Sequence, residues 1–392
     1  MKTWWAVIGG TALVGCAAKP VPTPAHPVIE ATPIVITPHD DETLEQAFER
    51  ARALLIEGKG AEAAPIFDRI AQAAAAADGA KPAPSNITDA KPAPNHLAPL
   101  ALFNAGIAWE LAGNRSVALS RFASGVERFS QGDVGKWSAL RAARLQAYLE
   151  RWSELSAMAD LLLARGDLLE VERLEAYGAK ALAVVESGDP ESAQRFVNKG
   201  RDIVDALRLG EGGKLPLEVA QIHFALGEVR KVRSETVTFV PMPGNFAAAL
   251  ETRCQGLLDA QSAYSDAMRS YDAHWAAMSG YRIGQLYEKL YRDVLSIPPP
   301  RAATTTEKKR LFEGAMRLRY RVLLEKGLKM MEHTVMVGDR TGEASSWIER
   351  ARAAKREIEK ALEQQKELLA KLPYGEKELQ RALEDLAAKT AP

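Results

Sequence analysis

Residues 97–131 read LAPLALFNAGIAWELAGNRSVALSRFASGVERFSQ, and this stretch decides the fold. Small Gly106, aromatic Trp109, turn-forming Gly113, small Ala118, bulky Phe122 and small Gly125 follow one another at helical spacing. Two helices joined at Gly113 and packed antiparallel need small residues where their backbones touch. They need large residues where they gape. The spacing returns upstream at Ala51, Leu54, Gly58, Ala63 and Phe67. It returns downstream at Ala181, Val184, Gly188, Ala193, Val197 and Gly200, where Asp189-Pro190 offers an N-cap and a first helical residue. Residues 138–165 follow it more loosely through Leu145, Tyr148, Ala157 and Leu161. Repeated units of this kind predict an all-α array of antiparallel helix pairs, each in contact with its neighbours.

The pattern resembles the tetratricopeptide repeat over residues 41–295, which implies a right-handed solenoid. Gly106, Trp109, Gly113, Ala118 and Phe122 stand at the packing positions of the repeat, and so do Gly284 and Tyr287 further on. No unit carries the full signature: the first-helix tryptophan and the terminal proline are missing. Residues 78–97 interrupt the array with a Pro/Ala-rich loop in which KPAP at 81–84 returns at 91–94.

A helix predicted from residue 216 breaks in SETVTFVPMPGN, residues 234–245. TVTFV has strand composition but no partner run, so it reads as an extended loop. The segments RCQGLLDAQSAY, HWAAMSGYRIGQLYEKLY and LLEKGLKMMEHT, followed by a tryptophan, resemble the C-terminal half of tetratricopeptide proteins of myxobacteria. Some of those belong to the envelope machinery of gliding motility. Residues 296–392 form a C-terminal helical region. Within it Ser346 and Glu349 have the spacing of a capping box. Trp347, Ala351, Ala354, Ile358, Ala361, Gln365, Leu368 and Leu372 then make one stripe. That stripe suits a helix capping the end of the solenoid, or a short coiled coil. Pro373-Tyr374-Gly375 stops it, and ELQRALEDLAAK reads as a short final helix.

The first residues point to an address. Ala6 to Val14 is an apolar stretch too short to span a bilayer, and Leu13-Val14-Gly15-Cys16 resembles the bacterial lipobox. The resemblance implies a signal peptide over 1–15, lipidation of Cys16 and delivery to the outer membrane on its periplasmic side. Prolines 20, 22, 24, 27, 33 and 38 make residues 16–40 an extended linker.

Composition narrows the chemistry. The 392 residues carry 51 Lys and Arg against 51 Asp and Glu, which argues against gripping nucleic acid by bulk charge. Two cysteines cannot build a disulfide framework. The six histidines have no metal-ligand spacing, and His223, His274 and His333 read as surface or half-buried helix residues. Gly132-Asp-Val-Gly135-Lys136 lacks the first glycine and the Ser/Thr of a phosphate loop. Cys254 has no neighbouring histidine and reads as a structural thiol. No catalytic residue, metal site or cofactor is expected.

Tyr264, Tyr271, Trp275, Tyr281, Tyr287 and Tyr291 concentrate aromatics in a chain poor in them, which suits either core packing or a peptide-binding face. Tyr281, Arg282 and Tyr291 are the candidate partner contacts. These readings describe a non-catalytic scaffold for other envelope proteins, gliding motility among its possible settings. The alternatives are an assembly lipoprotein for outer-membrane barrels or pilus secretins, and a docking regulator of cell-wall hydrolases.

Overall fold

The computed structural model describes residues 42–79, 97–213, 215–301, 303–375, 377–379 and 381. The architecture below belongs to the unit Leu44–Pro392. Cys16, the linker, residues 80–96 of the Pro/Ala-rich insertion and most of the final helix lie outside the described residues.

Among the described residues thirteen helices and no strand occur. They are α1 (Leu44–Ile56), α2 (Gly60–Gly79), α3 (Leu97–Leu111), α4 (Arg115–Arg128), α5 (Asp133–Tyr148), α6 (Trp152–Leu163) and α7 (Glu170–Glu186). Then follow α8 (Pro190–Ala206), α9 (Leu217–Glu235), α10 (Phe246–Met268), α11 (Ala273–Leu295), α12 (Thr306–Thr341) and α13 (Ser346–Ala370). Each helix packs on the next, and the odd-numbered α5, α7, α9 and α11 also pack on one another in succession. The chain is therefore an all-α array of helix pairs with one run of helices along its inner side.

Local chemistry sets the helix ends. Gly113 turns the chain with φ of +80°, and the Asn114 side chain accepts from the Val117 N–H to open α4. Asp189 accepts from the Ser192 N–H at 2.9 Å, and Pro190 begins α8 as its sequence predicts. Where α3 crosses α4, a Cβ on Gly106 would sit 2.5 Å from the Phe122 ring, so only glycine lets the ring in. Phe122 is fully buried there, a burial that contributes about 1.5–3 kcal/mol.

Residues 236–240 form no strand, and Phe239 anchors the extended loop by packing edge-on against Phe246 at 5.4 Å. Two expectations need correction. In α6 the buried residues are Leu155, Ala159 and Leu162, while Ala157 and Leu161 face outward. The loose match at 157 and 161 had the right period on the wrong face. At α13 the N-cap is Ser345, without a side-chain cap bond, so the Ser346–Glu349 capping box does not form. Packing on α11 and α12 positions that terminus instead. Trp347, Ile348, Ala351, Ile358 and Gln365 are buried in doing so, as a capping helix requires, while Leu368 stays half exposed.

Candidate functional site

The inner run of helices carries buried charge, which an apolar repeat core does not need. Arg144 of α5 reaches Glu175 of α7 at 2.7 Å, both deeply buried. One step along, Glu228 of α9 is 2% exposed and meets three groups. Tyr264 donates its hydroxyl to it at 2.8 Å, Arg282 of α11 lies 2.6 Å away, and Lys231 pairs with it from its own helix. Arg282 also donates to Glu186 of α7 at 3.1 Å. Burial alone would raise the Glu228 carboxyl, but Arg282 and Lys231 outweigh it and keep the group ionised. Glu186 is pushed up by burial and by Glu228. Burial would lower the Arg282 guanidinium, and the two carboxylates overcome that. The cluster holds two carboxylates and two cations in balance, as buried charge must be.

The chain's own C-terminal segment sits on this floor. Trp347, in the first turn of α13, has no exposed surface. Tyr281 meets its ring edge-on at 5.7 Å, and the guanidiniums of Arg282 and Arg350 lie over it at 5.2 and 4.7 Å. Such stacked cations contribute about 2 kcal/mol when desolvated. Arg350 in turn grips Glu150, in the α5–α6 turn, through two bonds of 2.9 and 2.7 Å. Four residues before Trp347, Glu343 accepts two hydrogen bonds from Arg115 at 3.0 and 2.7 Å, and a third from His274 Nδ1 at 3.0 Å.

Burial alone would raise the Glu343 carboxyl, and the hydrogen bonds from His274 and Arg115 hold it well below the usual range. Burial depresses the His274 imidazole despite its bond to Glu343, so the neutral ring donates Nδ1–H and the positive partner is Arg115. The Tyr148 ring stacks on His274 at 4.0 Å, and Arg115 lies over Tyr148 at 5.5 Å. Glu343 thereby ties the α12–α13 turn to the first turn of α4, 228 residues away.

All three candidate partner contacts therefore meet the chain itself. Tyr281 and Arg282 hold Trp347, and the Tyr291 hydroxyl donates to Gln365 of α13 at 3.3 Å. The exposure expected of Tyr281 and Arg282 is corrected: Arg282 is covered by the neighbouring helices and α13, and Tyr281 is half-buried against Trp347. Tyr291 is buried as core packing requires. Gln365, the polar break in the stripe, is satisfied by Tyr291 and by donating to the Arg317 carbonyl at 2.6 Å. Gly284 and Tyr287 lie in packing positions: Gly284 faces Met331, and the buried Tyr287 donates to Gln261 at 2.5 Å. Burial pushes the Tyr287 phenol up to about 12.

The sequence reading missed Arg115, Glu343 and the burial of His274, whose contacts span 228 and 69 residues with no local pattern. Burial raises the Cys254 thiol over the opposing pull of Arg253, so it is not poised as a nucleophile. Lys136, in the imitation phosphate loop, turns inward to Glu172 at 3.3 Å. Among the described residues no group of three His, Cys, Asp or Glu is placed to hold a metal ion, and no helix is long and apolar enough to cross a membrane. An open depression of about 510 Å³ lies beside Leu100, Phe129 and Trp137. A second, of about 710 Å³, lies beside Arg201, Arg230 and Gln255.

No family model matches the chain, and no curated protein does. Among solved structures, a tetratricopeptide repeat protein from Parabacteroides merdae ATCC 43184 is similar in fold, with a TM-score of 0.42 at 11% identity. The match covers 80% of this chain and 98% of that one.

Proposed function

We propose that this protein is a non-catalytic scaffold that binds other proteins of the bacterial envelope, held on the periplasmic side of the outer membrane by lipid on Cys16. The observation that carries the binding role is the inner run α5–α7–α9–α11. Its buried, balanced charged floor already receives one segment of the chain, through the Glu343 carboxylate at His274 and through Trp347 at Arg282. Repeat arrays of helix pairs hold partners on such continuous faces. The anchor rests on Leu13-Val14-Gly15-Cys16, and two or more acyl chains at about 0.8 kcal/mol per methylene would hold it stably. Gliding motility is the setting suggested by the likeness of residues 250–350 to myxobacterial envelope proteins.

The test is affinity isolation from detergent-solubilised envelopes with the wild type and Cys16→Ser, partners being identified by mass spectrometry. A fixed set of envelope proteins with the wild type alone is expected. Recovery of no defined partner by either form would remove the scaffold role, and recovery of one set by both would reduce the lipid to an address.

A further inference from the structure

The clasp between α12 and α13 has the make-up of a bound ligand. Residues 341–352 read TGEASSWIERAR, and two buried side chains of this stretch, Glu343 and Trp347, reach across to α4 and α11. Glu343 enters a cationic notch made by Arg115 and the His274 Nδ1–H. Trp347 enters a slot formed by Tyr281 and the Arg282 guanidinium, while Arg350 of the same segment lies over its ring. Resting on the scaffold reading above, we propose that this inner face is a receptor for a partner segment bearing a carboxylate and, four residues later, a tryptophan. The chain's own Glu343 and Trp347 hold the place of that segment until it arrives.

Charge complementarity identifies the occupant. Among the described residues Glu343 is the carboxylate hydrogen-bonded to Arg115, with Glu110 a more distant charge, and Arg282 faces an aromatic ring while its own charge is met by Glu186 and Glu228. A basic segment would meet Arg115 and Arg282. An acidic and aromatic one meets what it needs.

The resident segment also fits imperfectly. On the receiving side, His274 Nε2 and Ser279 Oγ, both on α11, are buried without hydrogen-bond partners among the described residues. A foreign segment that satisfies them has an advantage over the resident one. A hinge for release lies at Gly342, which joins α12 to the clasp in the left-handed region, φ +74°, with open space around its α-carbon, although Trp347, Ile348 and Ala351 must unpack together. Ile358 and Gln365 hold the rest of α13 separately, against α11 and α12.

The experiment uses the full chain and a fluorescent peptide of sequence TGEASSWIERAR, followed by polarisation. An opened chain carrying Glu343→Gln and Trp347→Ala is expected to bind this peptide about tenfold or more tightly than the wild type, whose site is occupied. Adding Arg115→Ala to the opened chain should abolish that gain, as should replacing the peptide's own Glu or Trp with alanine. Circular dichroism and a melting curve establish that each variant is folded. Should the double variant fail to fold, Glu343→Gln alone, which keeps the side-chain shape, is expected to give a smaller gain in the same direction.

Equal binding by folded opened and wild-type chains would overturn the proposal. So would binding indifferent to the peptide's Glu and Trp, or a wild-type dimer that exchanges the clasp between copies. The scaffold reading falls separately. If envelope isolation recovers partners while the peptide arm fails, partners use another face. If the peptide binds and isolation recovers nothing, the site stands and the scaffold role does not.

Discussion

In α3–α4 the rigid ring of Phe122 fills the space left by Gly106; in α11–α12 the flexible thioether of Met331 does so over Gly284. Each region also carries a tryptophan. Trp109 is half-buried and donates its ring N–H to Asp68 at 3.0 Å, and Asp68 is gripped in turn by Arg121 at 2.6 Å. Trp347 is fully buried, caged by cations, with its N–H unpartnered among the described residues. The first region is a repeat unit finished against its neighbours. The second has the same packing device, but its inner surface is completed by a segment from further along the chain.

The largest difference should come from the tryptophans. Trp347→Ala is expected to lower unfolding stability by about 4 kcal/mol in a urea titration, the cost of emptying a buried indole site. Trp109→Ala should cost about 2 kcal/mol, since its ring already meets water and Asp68 keeps Arg121. Equal losses would mean that the clasp is no more buried in solution than an ordinary repeat position.

The glycines sharpen the same comparison. Gly106→Ala forces a methyl against an immobile ring and should cost about 2 kcal/mol. Gly284→Ala presses on the end of a flexible methionine and regains helix propensity, so its cost should stay under about 1 kcal/mol. Thermal melts of the two variants measure this directly, and a reversed order would show that the α11–α12 seam is the tighter one.

The third difference lies in acid. Glu343 is depressed in the folded chain, so the unfolded chain binds its proton first as pH falls, and stability is lost below the ordinary carboxylate range. His274 is depressed as well, so its contribution has the same sign and begins to fade near the ordinary imidazole value. Around the pair, Arg115, Tyr148 and Asp272 are the other titratable groups. Between pH 5 and pH 3 the wild type should lose about 1.5 kcal/mol more than Glu343→Gln does. Parallel urea midpoints would disprove an ionised Glu343 in the clasp.

The helix pairs could be read from the sequence because the signals that build them are local. Gly113, Asn114, Asp189 and Pro190 act within a turn, and Gly106 faces Phe122 only sixteen residues on. The aromatic cluster could be read as important but not as occupied. Tyr281 and Arg282 were identifiable as contact residues, yet the ring they hold is Trp347, which in the sequence looked like one more member of a helical stripe. Arg115 and Glu343 gave no signal, because an ion pair across 228 residues leaves no spacing to detect. In α6 the period was legible and the face was not, since the outer residues Ala157 and Leu161 are as apolar as the inner ones.

The distance along the chain between Arg115 and Glu343 also sets an order of events. At about 5–20 residues per second, Arg115 leaves the ribosome roughly 10–50 s before the carboxylate that will meet it. Through that interval the early helix pairs have only one another for support, and their inner side faces whatever is nearby. A nascent chain of this design therefore carries the Arg115 guanidinium without its carboxylate until the α12–α13 turn has been made.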